Sequence, residues 1–204
     1  MARRTRGVGA EHEERRGQIA DAVLAVVAER GLAAVSLTTV AARAGVSAGR
    51  VQHYFPTRQR LVEAAFDRAN ARSSARISAL VGPHPEGVPA RRVLTVVLTE
   101  LVPHDEESRL HLRVRQAFTA LALADESIAA RLRADYAVLH DRIAALLARD
   151  ERVDAADPHA VAVRLVGLAE ALAYYTLIGV STPEDARRQV LTAIGQVYGG
   201  PVTE

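Results

Sequence analysis

The chain has 204 residues, 49% hydrophobic and 25% charged, with a formal net charge of +2; this is the profile of a soluble globular protein with one good core, or a small domain joined to a larger one. There is no cysteine, which excludes disulfides and thiolate metal sites. Every basic residue is an arginine, and the charge is uneven: residues 1–60 hold ten Arg against five acids, so the first segment is basic and the remainder mildly acidic.

The first ten residues are Arg- and Gly-rich without periodicity and read as a disordered basic arm (1–10); with no apolar stretch behind its arginines, this start is not a signal peptide, and a cytoplasmic protein is expected. From Glu11 to Arg30, Ile19, Val23, Val26 and Val27 recur at helical spacing, and Gly31 is expected to close that helix in the left-handed conformation. Ser36 is a good N-cap for a short helix over 37–44 that ends at Gly45. Ser47 caps a second short helix to about Tyr54, Pro56 and Thr57 punctuate, and a long helix runs from Arg58 to about Leu80. Three prolines and two glycines make 82–89 a loop. Helices over about 89–101, 105–123, 126–149 and 158–179 follow, and Pro183-Glu184-Asp185 opens a last one to Tyr198. No strand pattern appears, so the fold class is all-α with about nine helices: a helix-turn-helix domain over 11–57 and a larger helical domain over 58–204. The apolar stretch 159–180 is broken by Arg164 and Glu170 and reads as a buried helix, not a membrane span.

The informative segment runs from Ser36 to Phe55: two short helices joined by a Gly-containing turn, with Ala41 small where the helices meet and Val46 and Val51 between them. Such a turn projects the start of the second helix toward a major groove. Ala44-Gly45-Val46-Ser47, Gly49, Tyr54-Phe55 and Arg58 stand in register with the TetR family, which the sequence resembles over about residues 11–62; the later helices resemble the choline/betaine-repressor branch in number and length. The resemblance implies a DNA-binding transcriptional regulator, a repressor released from its operator by a small molecule. It implies phosphate contacts from Ser36, Thr38 and Thr39, a recognition helix opened by Ser47 and Ala48, and close backbone approach at Gly49. Arg50 and Gln52 are the base-edge candidates, Arg for guanine and Gln for adenine, while His53, Tyr54 and Arg58 are expected on phosphates. Gln52 stands where the family often has Tyr.

In the larger domain, His111, Arg115 and Phe118 share one helix face and Tyr136 and His140 a second; they are the candidates for an effector site, with helix 58–80 expected to move when the effector binds. Helix 158–179 is apolar nearly all round. Gly167, Ala171 and Tyr174, with Val190, Ile194 and Val197 of the last helix, are the candidates for a two-fold interface with a second copy. The partners expected are thus palindromic double-stranded DNA, a small-molecule effector and a second copy, with no membrane and no cofactor. No phosphate loop, Glu-x-x-His pair or His-Glu-x-x-His occurs. A metal-binding bundle or enzyme built on His104, Glu107 and His111 is the alternative from another class, and acids favoured by the dipole of a first helical turn account for that cluster more simply.

Overall fold

The computed structural model describes residues 8–82, 87–153 and 155–199, and among them it contains nine α-helices and no strand. These are α1 (Val8–Arg30), α2 (Leu37–Ala44), α3 (Ala48–Tyr54), α4 (Arg58–Val81), α5 (Ala90–Glu100), α6 (Glu106–Ala122), α7 (Glu126–Ala148), α8 (Pro158–Leu177) and α9 (Pro183–Val197). The all-α expectation holds, and the breaks fall at the punctuating residues. Asp105, Asp125, Asp157 and Thr182 each cap a helix by accepting from a backbone N–H in its first turn. Pro158 and Pro183 begin their helices, where a missing N–H costs nothing.

Two differences lie at the N-terminus. The first helix already begins at Val8, inside the segment expected as a loose arm, whose residues 1–7 lie outside the described part. Gly31 has φ 75° and ψ 170°, a glycine-only conformation but not the left-handed helical one. The chain therefore leaves α1 along an extended path and makes a 3-10 turn at Leu32–Ala34 before α2.

The described residues divide into two compact units: the first runs to residue 72 and includes 113–118, the second takes in 73–112 and the residues from 119 on. The reason is packing. Leu61, Val62, Ala65, Phe66 and Ala69 of α4 are buried, and the Phe66 ring stacks on Phe118 of α6 at 4.2 Å between centroids. In the same unit Ile19, Val23, Val26 and Val27 form the inner stripe of α1, joined by Val40, Ala41, Val51 and Phe55. Arg68 and Arg72 of α4 both bond Asp21 of α1.

The second unit is built around α8, whose neighbours are α7 and α9, with α5 filling the remaining side. Leu94, Leu98, Ile143, Leu147, Val166, Val190 and Ile194 are among its core side chains. Each such burial contributes about 1.5–3 kcal/mol before entropy is counted. By length and composition α8 is apolar enough to cross a membrane, yet one side of it forms this core. The same unit holds a polar cluster: Arg76 of α4 bonds the buried carboxylate of Glu100 through Nε at 2.7 Å and stands 3.0 Å from Glu107.

Candidate nucleic-acid interface

The helix-turn-helix is assembled from local devices. The Ser36 hydroxyl accepts from Thr39 N at 3.0 Å and lies 2.8 Å from the Thr39 hydroxyl, fixing the first turn of α2. Gly45 takes φ 65° and ψ 33°, the left-handed cap that turns the chain out of α2. The Ser47 hydroxyl accepts from Arg50 N at 3.2 Å and starts α3. Val51 is the inward residue of α3 and Phe55 closes it against the core, with the Arg16 guanidinium 5.3 Å above the Phe55 ring.

What remains outward on α3 is Ala48, Gly49, Arg50, Gln52 and His53, all exposed. Among the described residues the side chains of Arg50 and Gln52 have no hydrogen-bond partner, so their donors and acceptors face solvent. A Cβ on Gly49 would meet nothing within 4 Å, so packing inside the chain does not require a glycine there. Thr38 is exposed beside the cap, Thr39 half-buried within it. Tyr54 is half-buried, its ring 5.4 Å from His53 and 4.7 Å from His12 of α1. His12 belongs to this edge and sequence reasoning missed it; a lone histidine on a polar helix face carries no signal until α1 is laid beside α3.

Arg58 is engaged within its own chain. Its Nε donates to the Val35 carbonyl and its Nη2 to the Leu32 carbonyl, each at 3.0 Å. The Leu32 carbonyl also accepts from Val35 N within the 3-10 turn, so Arg58 acts as a clamp on the connector before α2.

The five effector candidates divide between the units. Arg115 and Phe118 belong to the smaller one, where both are buried and Phe118 forms the stack with Phe66. His111, Tyr136 and His140 belong to the larger one, half-buried, with the Tyr136 and His140 rings 5.9 Å apart and His140 6.0 Å from His159. Of the interface candidates, Gly167, Ala171 and Tyr174 are exposed on α8, in line with exposed Val163 and Ile178. Val190 and Ile194 are corrected: at 2% and 0% exposure they are core residues of their own chain, because the apolar stripe of α9 faces α5 and α8. Val197 is half-buried beside that core. The His104, Glu107 and His111 cluster dissolves: Glu107 pairs with Arg76, and the His104 Nδ1 lies 3.1 Å from the Val102 carbonyl. Among the described residues no three His, Asp or Glu side chains are grouped to hold a metal.

Comparison with known proteins agrees with this geometry. Residues 19–65 match the bacterial regulatory proteins of the tetR family, and residues 89–198 match the C-terminal domain of BetI-type transcriptional repressors. The transcriptional regulator PksA of Bacillus subtilis is 32% identical over 169 residues, 82% of this chain and 81% of PksA. A crystallised TetR-family transcriptional regulator from Rhodococcus sp. is 29% identical with a TM-score of 0.77, over 91% of this chain and 99% of that one. The multidrug binding protein EbrR, crystallised with imidazole, is 27% identical with a TM-score of 0.63, over 100% of this chain and 99% of its own. With a helix-turn-helix of this geometry on a BetI-type helical unit, the chain belongs to the TetR family of bacterial transcriptional regulators and is a DNA-binding repressor.

Proposed function

We propose that the chain works as a homodimer on a palindromic operator in the cytoplasm, acts by binding and not by catalysis, and is released by a small-molecule effector. The observation that carries the DNA-reading part is the outward row of α3, where exposed Arg50 and Gln52 side chains have no partner within the chain and Gly49 leaves the surface open. Arg50 reads a guanine and Gln52 an adenine, while Ser36, Thr38, Thr39, Ser47, His53 and Tyr54 hold phosphates on either side. The exposed α8 stripe of Gly167, Ala171 and Tyr174 supports pairing with a second copy: a Cβ on Gly167 would meet nothing within 4 Å, leaving room for close helix approach from outside.

His111, Tyr136 and His140 are our candidates for effector contacts in the larger unit. The bound imidazole of EbrR supports an effector of small, ring-bearing type. Selection of duplexes from a randomised library tests the whole reading. A recovered palindrome with half-sites about one helical turn apart is expected. Recovery of no preferred duplex, or of a single unpaired half-site by a chain that sediments as a monomer, would overturn it.

A further inference from the structure

In the larger unit a cleft of about 960 Å³ opens at the C-terminal turn of α8, the start of α9 and Arg109 of α6. A space of this size accommodates a small organic molecule. Its walls are apolar at Leu172, Tyr175, Ile178 and Val180, and the last three are 46%, 53% and 66% exposed. That is a local concentration of apolar surface a soluble chain does not keep without reason.

The polar group in these walls that wants a partner is Arg109. It is half-buried, and among the described residues its guanidinium makes no hydrogen bond and no ion pair. The other arginine of the cleft, Arg188, is already paired with Asp185. A guanidinium that has lost part of its hydration and gained no counter-ion carries a cost that an oxyanion removes, through two parallel N–H···O bonds. One unpaired cation asks for one negative charge, and the apolar walls ask for a hydrocarbon or aryl body.

We propose that this cleft binds an amphipathic monoanion, with a carboxylate or sulfonate head on Arg109 and an apolar tail along Leu172, Tyr175 and Val180. None of His111, Arg115, Phe118, Tyr136 and His140 lines it, so it is a site separate from the effector candidates. Leu172 and Thr176 in its wall follow Gly167 by five and nine residues and so face away from the stripe proposed for pairing, while Ile178 at the cleft's edge continues that stripe. The inference does not depend on DNA binding, and its test contains no DNA.

The test is calorimetric titration of the full chain with three ten-carbon probes: decanoate, decanol and decyltrimethylammonium. Decanoate is expected to bind at one site per chain, about tenfold or more tighter than either of the others. Arg109→Gln is expected to remove that preference while leaving the weaker decanol binding in place. Val180→Asp, at an exposed position of the same wall, should weaken decanoate as well. Equal binding of decanoate and decanol, no binding of decanoate, or unchanged decanoate affinity in Arg109→Gln would each overturn the proposal. So would a change of sedimenting mass in Arg109→Gln, because the cleft would then be a contact between copies. Failure here leaves the DNA-binding reading standing, and failure of duplex selection leaves this site standing.

Discussion

Arg68 of α4 grips Asp21 of α1 with both arms of its guanidinium, Nε to Oδ1 at 2.7 Å and Nη2 to Oδ2 at 2.9 Å, and Arg72 adds a third bond at 2.9 Å. The hydrogen bond to Asp21 raises the Arg68 pKa above its ordinary value. This fork makes the first half of α4 part of the DNA-reading unit. Asp21→Ala is expected to cost about 1 kcal/mol in urea unfolding, since all three side chains are partly solvated. In a double-mutant cycle with Arg68→Ala, a coupling energy indistinguishable from zero would show that the fork adds nothing beyond solvation.

Arg50 and Arg58 are two arginines of one motif with opposite fates. Arg50→Ala is expected to lose about 1–3 kcal/mol of discrimination at one base pair per half-site and to leave the melting temperature unchanged. Arg58→Ala removes the two bonds to the carbonyls of Leu32 and Val35 and is expected to cost about 1–2 kcal/mol of stability without altering base preference. A salt titration of DNA affinity separates the roles: if Arg58→Ala reduces the salt slope while the protein melts normally, Arg58 holds phosphate after all.

The pairing surface makes a similar contrast. Gly167→Leu adds a side chain at an exposed position where a Cβ meets no atom of its own chain within 4 Å, so it is expected to keep full helicity at room temperature while sedimenting as a monomer. Ile194→Ala opens a hole in the core and is expected to cost about 2–5 kcal/mol. If Gly167→Leu stays dimeric at micromolar concentration, copies meet elsewhere.

Two ends of the pH range probe the region around Tyr198. The hydrogen bond from Arg152 holds the Asp150 carboxyl at about 2, below its ordinary value of 3.8. A depressed carboxylate stabilises the fold above its unfolded pKa, and that contribution disappears as pH falls from about 4 through about 2. Burial pushes the Tyr198 phenol up to about 12, from 10.0. Here the unfolded chain ionises first, so stability is present below pH 10 and is lost as pH rises toward 12. Urea midpoints of wild type and Arg152→Ala from pH 5 to 2 check the acid limb; identical slopes would remove Arg152 as the cause.

Most of the helices were legible because their signals are local: Ser36, Ser47, Asp125 and Asp157 announce helix starts, and Gly45 a stop, in the residues themselves. The outward row of α3 was legible for the same reason, since a period of 3.6 residues with Val51 inside puts Arg50 and Gln52 outside. What the sequence hid depends on partners far along the chain. Arg58 looks like any exposed arginine until Val35, 23 residues earlier, is beside it. The stripe of Val190 and Ile194 serves equally for a partner or for a core, and only the packing of α9 on α5 and α8 decides. Phe118 likewise needed Phe66, and Arg109 needed the end of α8.

The Arg58 clamp also bears on the order in which the DNA-reading unit folds. The turn from α2 to α3 is closed by hydrogen bonds between near neighbours, Val46 N to the Ala41 carbonyl among them, and is complete as soon as residues 36–54 are together. The connector from α1 to α2 is only partly local: Val35 N donates to the Leu32 carbonyl within the 3-10 turn, while the bonds from Arg58 to the Leu32 and Val35 carbonyls span 26 and 23 residues. Closing that longer loop costs chain entropy that the α2–α3 turn does not incur. The α2–α3 pair is therefore expected to form as a local nucleus, and the connector to α1 gains its last two bonds only when the beginning of α4 arrives.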